Sequence, residues 1–157
     1  MNDSVTVTFL GGLGDIGRNC AAIESRNQIL LLDCGQLFPD ELMPGAHSVL
    51  PDFSYLNGQT EKIVGCIVTH AHEDHIGAIA HSYEVLKAPI YARAFTANIA
   101  RRKMSEHGHP EDAVTTVSAW PEQITAGPFK VGFLPISHSI PESSAMVIDT
   151  PEGRTIH

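Results

Sequence analysis

The sequence predicts a mixed α/β fold of the α+β kind, built around a single core. Three observations favour it: apolar–polar alternation at 5–10, short apolar runs between turn residues, and two segments whose apolar residues recur at helical spacing. The chain has 157 residues, 43% of them hydrophobic and 18% charged, which suits one globular domain with a sizeable core.

The first half of the chain predicts strands joined by turns and one long loop. A strand is expected at 5–10, and the apolar runs 19–24 and 28–33, joined by SRNQ, are typical of a hairpin. Residues 35–60 are rich in Gly, Pro, Asp and Asn, and loops of that length tend to be functional. The apolar segment 62–69 predicts a buried central strand.

The second half predicts two helices among strands. Apolar residues at 76, 79, 80 and 83 indicate a helix that begins near Ile76 and ends before Pro89. Further elements are expected in this order: a strand at 88–92, a helix around 95–102, and strands within 113–118, 127–136, 143–149 and 154–157. The last strand reaches His157 without a turn or cap, so we expect residues 1–157 to be the N-terminal part of a larger domain.

Charge and cysteine content restrict the function classes. A net charge of −8 argues against a protein that coats nucleic acid by bulk electrostatics, although an enzyme could still hold RNA in a local groove or through metal ions. No apolar run is long enough to span a membrane, and no signal peptide is visible. Cys20, Cys34 and Cys66 do not form a disulfide framework, so we expect a cytoplasmic protein without a membrane partner.

The stretch GGLGDIGRN contains Gly12, Gly14 and Gly17 in the spacing of a dinucleotide-binding loop. A true loop of that type opens a crossover helix, whereas only RNCAAIES separates Gly17 from the SRNQ turn, and no second βαβ half follows. We therefore expect no NAD. The glycines either let the backbone approach a functional cleft or form a purely structural turn.

The densest group of potential metal ligands, THAHEDHIG, directly follows the predicted central strand. It places His70, His72, Asp74 and His75 within six residues, and an i, i+2 histidine pair in an extended segment faces one side of the chain. Asp74 is also a favoured N-cap for the helix expected near Ile76. Neutral imidazoles with a carboxylate suit zinc, and also manganese.

The pattern H-x-H-x-D-H followed by Ile-Gly resembles the signature of the metallo-β-lactamase superfamily. The resemblance implies a four-layer αββα sandwich with its metal site at one end of two sheets, of which this chain would form the N-terminal half. It implies that His70, His72 and a later histidine bind one metal ion, and that Asp74 and His75 bind a second and are catalytic. SHSIPES, after an apolar strand, offers His138 as the later histidine.

Four more segments narrow the resemblance to the nucleic-acid-processing β-CASP branch: GGLGDIGRN, LLLDCG, VLPDFSYL and PISHSIPESSAMVIDTPEG. The branch implies a homo-oligomer with two Zn²⁺ or Mn²⁺ ions that degrades and matures RNA. Cleavage would be exonucleolytic, 5′ to 3′ from 5′-monophosphate ends, and endonucleolytic. It also implies β-CASP and C-terminal domains and further ligands outside residues 1–157. We therefore expect residues 1–157 alone to be weakly active or inactive.

Other polar residues receive weaker expectations. Asp33 and Asp52 are candidates to orient ligand histidines, but Asp33 could simply end a strand and Asp52 a turn. Glu73 matches no ligand position and is expected to be solvated, as is the basic cluster at 101–103. The remaining histidines have no partner spacing and receive no role: His47, His81, His107, His109 and His157.

Two other functions stay open at this point. A metallo-hydrolase of the same fold could act on a small ester, thioester or lactam. The chain could also be a metal-binding module without catalytic activity. The motif H-x-H-x-D-H is common to all three interpretations, so it predicts a metal site more firmly than it predicts a substrate.

Overall fold

The structure is a computed structural model that describes residues 4–41 and 43–157. Its strands are β1 (Thr6–Gly11), β2 (Cys20–Ser25), β3 (Gln28–Leu32), β4 (Ile63–Val68), β5 (Ile90–Ala92), β6 (Val114–Thr116), β7 (Gln123–Ala126), β8 (Phe129–Pro135), β9 (Ser144–Thr150) and β10 (Gly153–Ile156). Its helices are α1 (Glu73–Ile76), α2 (Ile79–Leu86) and α3 (Ala94–Glu106). Short 3₁₀ turns occupy Phe53–Leu56, Thr60–Lys62 and Glu111–Ala113.

The strands form two sheets. The larger has the order β1-β2-β3-β4-β5-β6, and the smaller has the order β10-β9-β8-β7. In the larger sheet β1, β2 and β3 pair antiparallel, whereas β3, β4, β5 and β6 run parallel. The smaller sheet is antiparallel throughout. The carboxyl ends of β3 and β4 therefore meet at one edge, where open α/β sheets bind their ligands.

Two hydrophobic cores lie between three layers: one between the helices and the larger sheet, and one between the two sheets. Along β3, Ile29 and Leu31 face α2 and α3, whereas Leu30 and Leu32 face the second sheet, because successive side chains of a strand point to opposite faces. Phe129 and Phe133 of β8 fill the space between the sheets. The described residues thus form a helix–sheet–sheet stack, which confirms the expected mixed α/β class.

The element predictions differ from the structure in three places. The helical segment after β4 begins at Glu73, not near Ile76, and is split into α1 and α2. Its N-cap is His72, so the prediction that Asp74 caps it is wrong. Strand β7 was not predicted, because an alternation of only four residues is too short to give a clear periodic signal.

The glycine-rich loop joins two antiparallel strands, β1 and β2, and Cys20–Ser25 is a strand as expected. No crossover helix follows it, so the loop is not part of a βαβ unit. The three cysteines are free thiols buried in the core. None of the helices in the described ranges has the length and apolar character needed to cross a bilayer.

Candidate metal centre

Three histidines from two separate segments converge at the carboxyl end of β4. His72 Nδ1 lies 3.1 Å from His70 Nε2 and 3.2 Å from His138 Nε2. Two nitrogens bound at about 2.0–2.1 Å to one tetrahedral zinc ion lie roughly 3.3 Å apart, so these spacings fit a single cation. Within the described residues this is the one group of three or more His, Cys, Asp or Glu side chains that could hold a metal ion.

The hydrogen bond at His70 Nδ1 sets the tautomer of this ring. Thr69 Oγ1 donates to Asp33 Oδ2 over 2.9 Å, so the same oxygen accepts from His70 Nδ1–H, also at 2.9 Å. The lone pair of His70 then lies on Nε2, toward the other histidines. Burial, the neighbouring His75, and then His72 and His138 lower the pKa of His70 to about 4, although Asp33 opposes the shift. A neutral imidazole is the form that binds metal ions.

Asp33 also orients His75, because β3 and β4 run side by side and end together. His75 Nδ1–H donates to Asp33 Oδ2 over 2.7 Å, and Thr69 N–H donates to Asp33 Oδ1 over 2.7 Å. Burial works to lower the pKa of His75, but the Asp33 hydrogen bond and the charges of Asp33 and Asp74 outweigh it and raise the pKa. Asp33 itself is buried in a left-handed conformation with φ of 59°, which is costly for a non-glycine residue.

Asn19, the last residue of the glycine-rich loop, holds Asp74 and His75. Its side-chain amide donates to the Asp74 carbonyl at 3.0 Å, to Asp74 Oδ2 at 3.2 Å and to His75 Nε2 at 3.3 Å. Its backbone N–H also bonds the Asp74 carbonyl at 3.0 Å. The loop therefore lies beside Asp74 and His75. Asp74 Oδ2 and His75 Nε2 are 3.4 Å apart, and these two candidate ligands alone would not complete a second metal site.

Gly35 lets two segments approach each other closely. A Cβ built on Gly35 would lie 1.6 Å from the Asp74 carbonyl oxygen, a distance that no side chain allows. Backbone hydrogen bonds fix the contact: Cys34 N–H donates to the His75 carbonyl at 2.9 Å, and Gly35 N–H donates to the Asn19 carbonyl at 3.0 Å. The segment after β3 thus packs directly against the turn that contains Asp74 and His75.

Two expectations about carboxylates are corrected. Asp52 does not orient a ligand; it caps a 3₁₀ turn by accepting from Ser54 N–H at 2.9 Å, which fits its alternative role in a turn. Glu73 is not simply solvated, since Lys103 Nζ lies 2.7 and 2.9 Å from its two carboxylate oxygens and Gln36 Nε2 donates to it at 3.0 Å. Sequence spacing could not reveal these partners, which lie 30 and 37 residues away.

The structure places several other histidines together without joining them to the centre. The rings of His81 and His107 meet edge to face with centroids 4.5 Å apart, and His109 lies near Glu84 on the same outer face. His157 differs from these three histidines: it lines a surface depression together with His70, His75 and His138, so it lies beside the candidate centre. Thr69 and Asn19 were not predicted, because single polar residues carry no periodic signal.

The chain belongs to the metallo-beta-lactamase superfamily, whose profile matches residues 13–157. The curated proteins similar to this chain include two called ribonuclease J. The protein from Helicobacter pylori (strain ATCC 700392 / 26695) is 39% identical over 155 residues, which are 98% of this chain and 22% of the relative. The protein from Synechocystis sp. (strain ATCC 27184 / PCC 6803 / Kazusa) is 41% identical over 150 residues, 94% of this chain and 23% of the relative. The chain thus spans less than a quarter of their length.

A solved structure supports the fold. The short form of human tRNase Z matches with a TM-score of 0.63 over 96% of this chain and 67% of its own. At 17% sequence identity this likeness establishes the fold alone. The superfamily binds divalent metal ions, and His70, His72 and His138 are the residues here that could hold one.

Proposed function

We propose that this chain is the N-terminal, metal-binding part of a metal-dependent ribonuclease that hydrolyses RNA phosphodiester bonds by 5′-to-3′ exonucleolytic and endonucleolytic cleavage. The observation that carries the proposal is the convergence of the nitrogens of His70, His72 and His138 beside the Asp33–His75 pair. Similarity to ribonuclease J over nearly the whole chain supports RNA over a small ester, thioester or lactam.

His70, His72 and His138 would hold the first cation. When bound, divalent cations activate water as a nucleophile and neutralise charge on phosphoryl oxygens. Zinc is our first choice because the donors are imidazole nitrogens at tetrahedral spacing, and manganese is the alternative. Asp74 and His75 are proposed as ligands of a second ion. The further ligands that this ion needs would come from parts of the protein beyond residues 1–157.

The residues around the histidines prepare the site before a cation or substrate arrives. Asp33 accepts three hydrogen bonds and fixes His75 directly and His70 through Thr69. The Nε2 lone pair of His70 is therefore directed toward His72, and that of His75 lies beside Asn19 and Asp74. Orientation by such a buried carboxylate raises ligand basicity and typically contributes about 10–100-fold to metal affinity.

Local charge also supports metal-mediated binding of RNA. Three positively charged side chains lie beside the segments that carry the candidate ligands. Each already forms an ion pair: Arg18 with Asp15, Arg93 with Glu142 and Lys103 with Glu73. The net charge of −8 would repel a polyanion. The phosphate of the substrate would thus find its main electrostatic partner in the bound cations, so removal of metal should weaken RNA binding as well as cleavage.

The test uses the complete protein, with H70A and H138A as site variants and H81A as the matched control at an exposed histidine. Metal content is measured by mass spectrometry, and cleavage is measured on RNA with a 5′-monophosphate or a 5′-triphosphate. A β-lactam and a thioester serve as competing substrates. We expect zinc and RNA cleavage in the unaltered protein and H81A, and loss of both in the site variants.

Other results would contradict the proposal. Turnover of the lactam or thioester without RNA cleavage would favour a small-molecule hydrolase. A folded protein with bound metal that turns over no substrate would favour a non-catalytic module. A folded protein that takes up no metal would remove the basis of the proposed function.

A further inference from the structure

Helix α3 contacts both chain segments that carry the three histidines. His70 and His72 follow β4 in the larger sheet, whereas His138 lies in the exposed loop between β8 and β9 of the smaller sheet. One backbone bond, from Ser144 N–H to the Thr69 carbonyl at 3.1 Å, joins the bases of the two segments. The parts of the two segments that carry the histidines need a further contact if the ring nitrogens are to stay about 3 Å apart.

The first support is the ion pair between α3 and the ligand turn. Lys103, in the last turn of α3, contacts both carboxylate oxygens of Glu73, which lies between the ligands His72 and Asp74. The pair is partly buried, with side-chain exposures of 21% for Lys103 and 39% for Glu73. Gln36 donates to the same carboxylate from the segment after β3. The turn is therefore held from two sides.

The second support lies at the other end of α3. The N-cap residue, Arg93, makes no side-chain capping bond, and the first turn of the helix contains no acidic residue. Glu142, four positions after His138, supplies the missing capping bond and the missing negative charge. Its Oε2 accepts from Phe95 N–H at 2.6 Å, and its Oε1 lies 3.3 Å from Arg93 Nη2. A carboxylate at a helix N-terminus is favoured by the helix dipole.

The conformation of Glu142 fits this role. Its φ of 58° lies in the left-handed region, which is costly for a residue with a side chain and persists where surrounding contacts impose it. The contact points at Phe95 and Lys103 are eight residues apart, roughly 12 Å along the helix axis. Helix α3 thus acts as a spacer of fixed length between the two ligand segments.

We propose that α3 is a positioning element for the metal centre, and that the pairs Glu73–Lys103 and Glu142–Arg93 hold the His72 turn and the His138 loop at the separation one cation requires. The inference rests on the metal centre of the proposed function. It gives Glu73 and Glu142 a role that neither their exposure nor the ligand motif assigns.

The test measures zinc affinity of the complete protein by competition with a chelator, together with the absorption spectrum of the Co²⁺-loaded protein. K103M and E142A each remove one support, and E106A is the matched control. Glu106 pairs with Arg102 on the same helix, but that pair is exposed and contacts neither ligand segment. Unfolding by urea shows whether each variant keeps its stability.

We expect K103M and E142A each to weaken zinc binding about 10-fold, the low end of the range for residues that orient ligands. Each should also change the Co²⁺ spectrum, which reports coordination geometry and would not respond to a purely structural role. E142Q should recover part of the affinity, because it keeps an acceptor for Phe95 N–H. E106A should match the unaltered protein in zinc affinity and spectrum.

The inference fails if K103M and E142A bind zinc as tightly as E106A with unchanged Co²⁺ spectra. If K103M proves unstable, the reversed pair E73K/K103E restores the ion pair. Regained zinc affinity then supports the inference, whereas a folded reversed pair that binds no better than K103M overturns it. If the unaltered protein and H138A retain zinc equally, the metal centre itself is wrong, a result distinct from failure of the supports alone.

Discussion

The two halves of the candidate metal centre are built differently. His70 and His75 follow strand β4, are tied to the buried Asp33 carboxylate, and lie where two parallel strands end together. His138 lies in a loop, is exposed, and approaches the other candidate ligands only through its ring. The first half, which we call the strand-end half, is fixed by the core of the domain. The second half, which we call the loop half, is fixed by contacts that cross between the sheets.

Because of this difference, we expect substitutions in the two halves to affect the free energy of unfolding and the metal affinity to different extents. A change in the strand-end half should disturb both, because its side chains are buried and share hydrogen bonds. A change in the loop half should reduce metal affinity and leave the free energy of unfolding nearly unchanged. The predictions below test that division.

The largest effect is expected from G35A. The new methyl group would overlap the Asp74 backbone, so the strand-end half could form only after the turn moved. We expect the free energy of unfolding to fall by more than about 3 kcal/mol and metal binding to be lost. Urea denaturation followed by circular dichroism measures the change. G45A is the control: Gly45 has a positive φ, but no atom of the described residues lies within 4 Å of a new Cβ, so the free energy of unfolding should fall by only about 1 kcal/mol.

The next largest effect is expected from H138A, and it should fall on metal affinity alone. Removal of one of three ligands should weaken zinc binding by more than the roughly 100-fold that bounds changes to residues behind the ligands. Because His138 is exposed, the unfolding free energy of the metal-free protein should change by less than about 0.5 kcal/mol. Calorimetric zinc titration measures the affinity, with H81A as control. A large loss of metal-free stability would contradict the division between halves.

D33N should lower both the free energy of unfolding and the zinc affinity. Asparagine keeps the shape of Asp33 but offers one acceptor oxygen where three donors converge, so a buried donor loses its partner at about 1–3 kcal/mol. Zinc affinity should fall about 10–100-fold. The pKa of His75 should fall, since Asp33 raises it, and NMR titration of the histidine ring would detect the shift. D52N, at an exposed capping residue, should leave zinc affinity unchanged; an equal loss there would rule out a specific role for Asp33.

The sequence predicted which candidate ligands come together better than it predicted the contacts that hold them. His70, His72, Asp74 and His75 were recognisable as candidates because they fall within six residues and follow a buried strand. His138 came from a resemblance, since nothing in its local pattern marks it as a ligand. The strands of the larger sheet were predictable where apolar runs were long, and β7 was missed where the run was short.

The supporting contacts were beyond sequence reasoning for a physical reason. Glu73 was expected in solvent because its partner Lys103 is on a different helix, and helix packing alone brings them together. Asp33 and Asp52 looked equivalent in sequence, yet the parallel pairing of β3 with β4 buries one of them beside Thr69 and leaves the other at an exposed turn. Such choices depend on tertiary pairing rather than on local propensity.

The smallest effect that should still be measurable is that of T69V. Valine matches threonine in shape but cannot relay the Asp33 hydrogen bond to His70 Nδ1, so His70 would lose the contact that sets its tautomer. We expect zinc affinity to fall about 10-fold and stability by about 1 kcal/mol, while T69S restores both because it keeps the hydroxyl. T125V, at an exposed position of β7, is the control for the substitution itself. If T69V binds zinc as T125V does, His70 is oriented by packing alone, and the strand-end half owes its rigidity to the sheet rather than to Asp33.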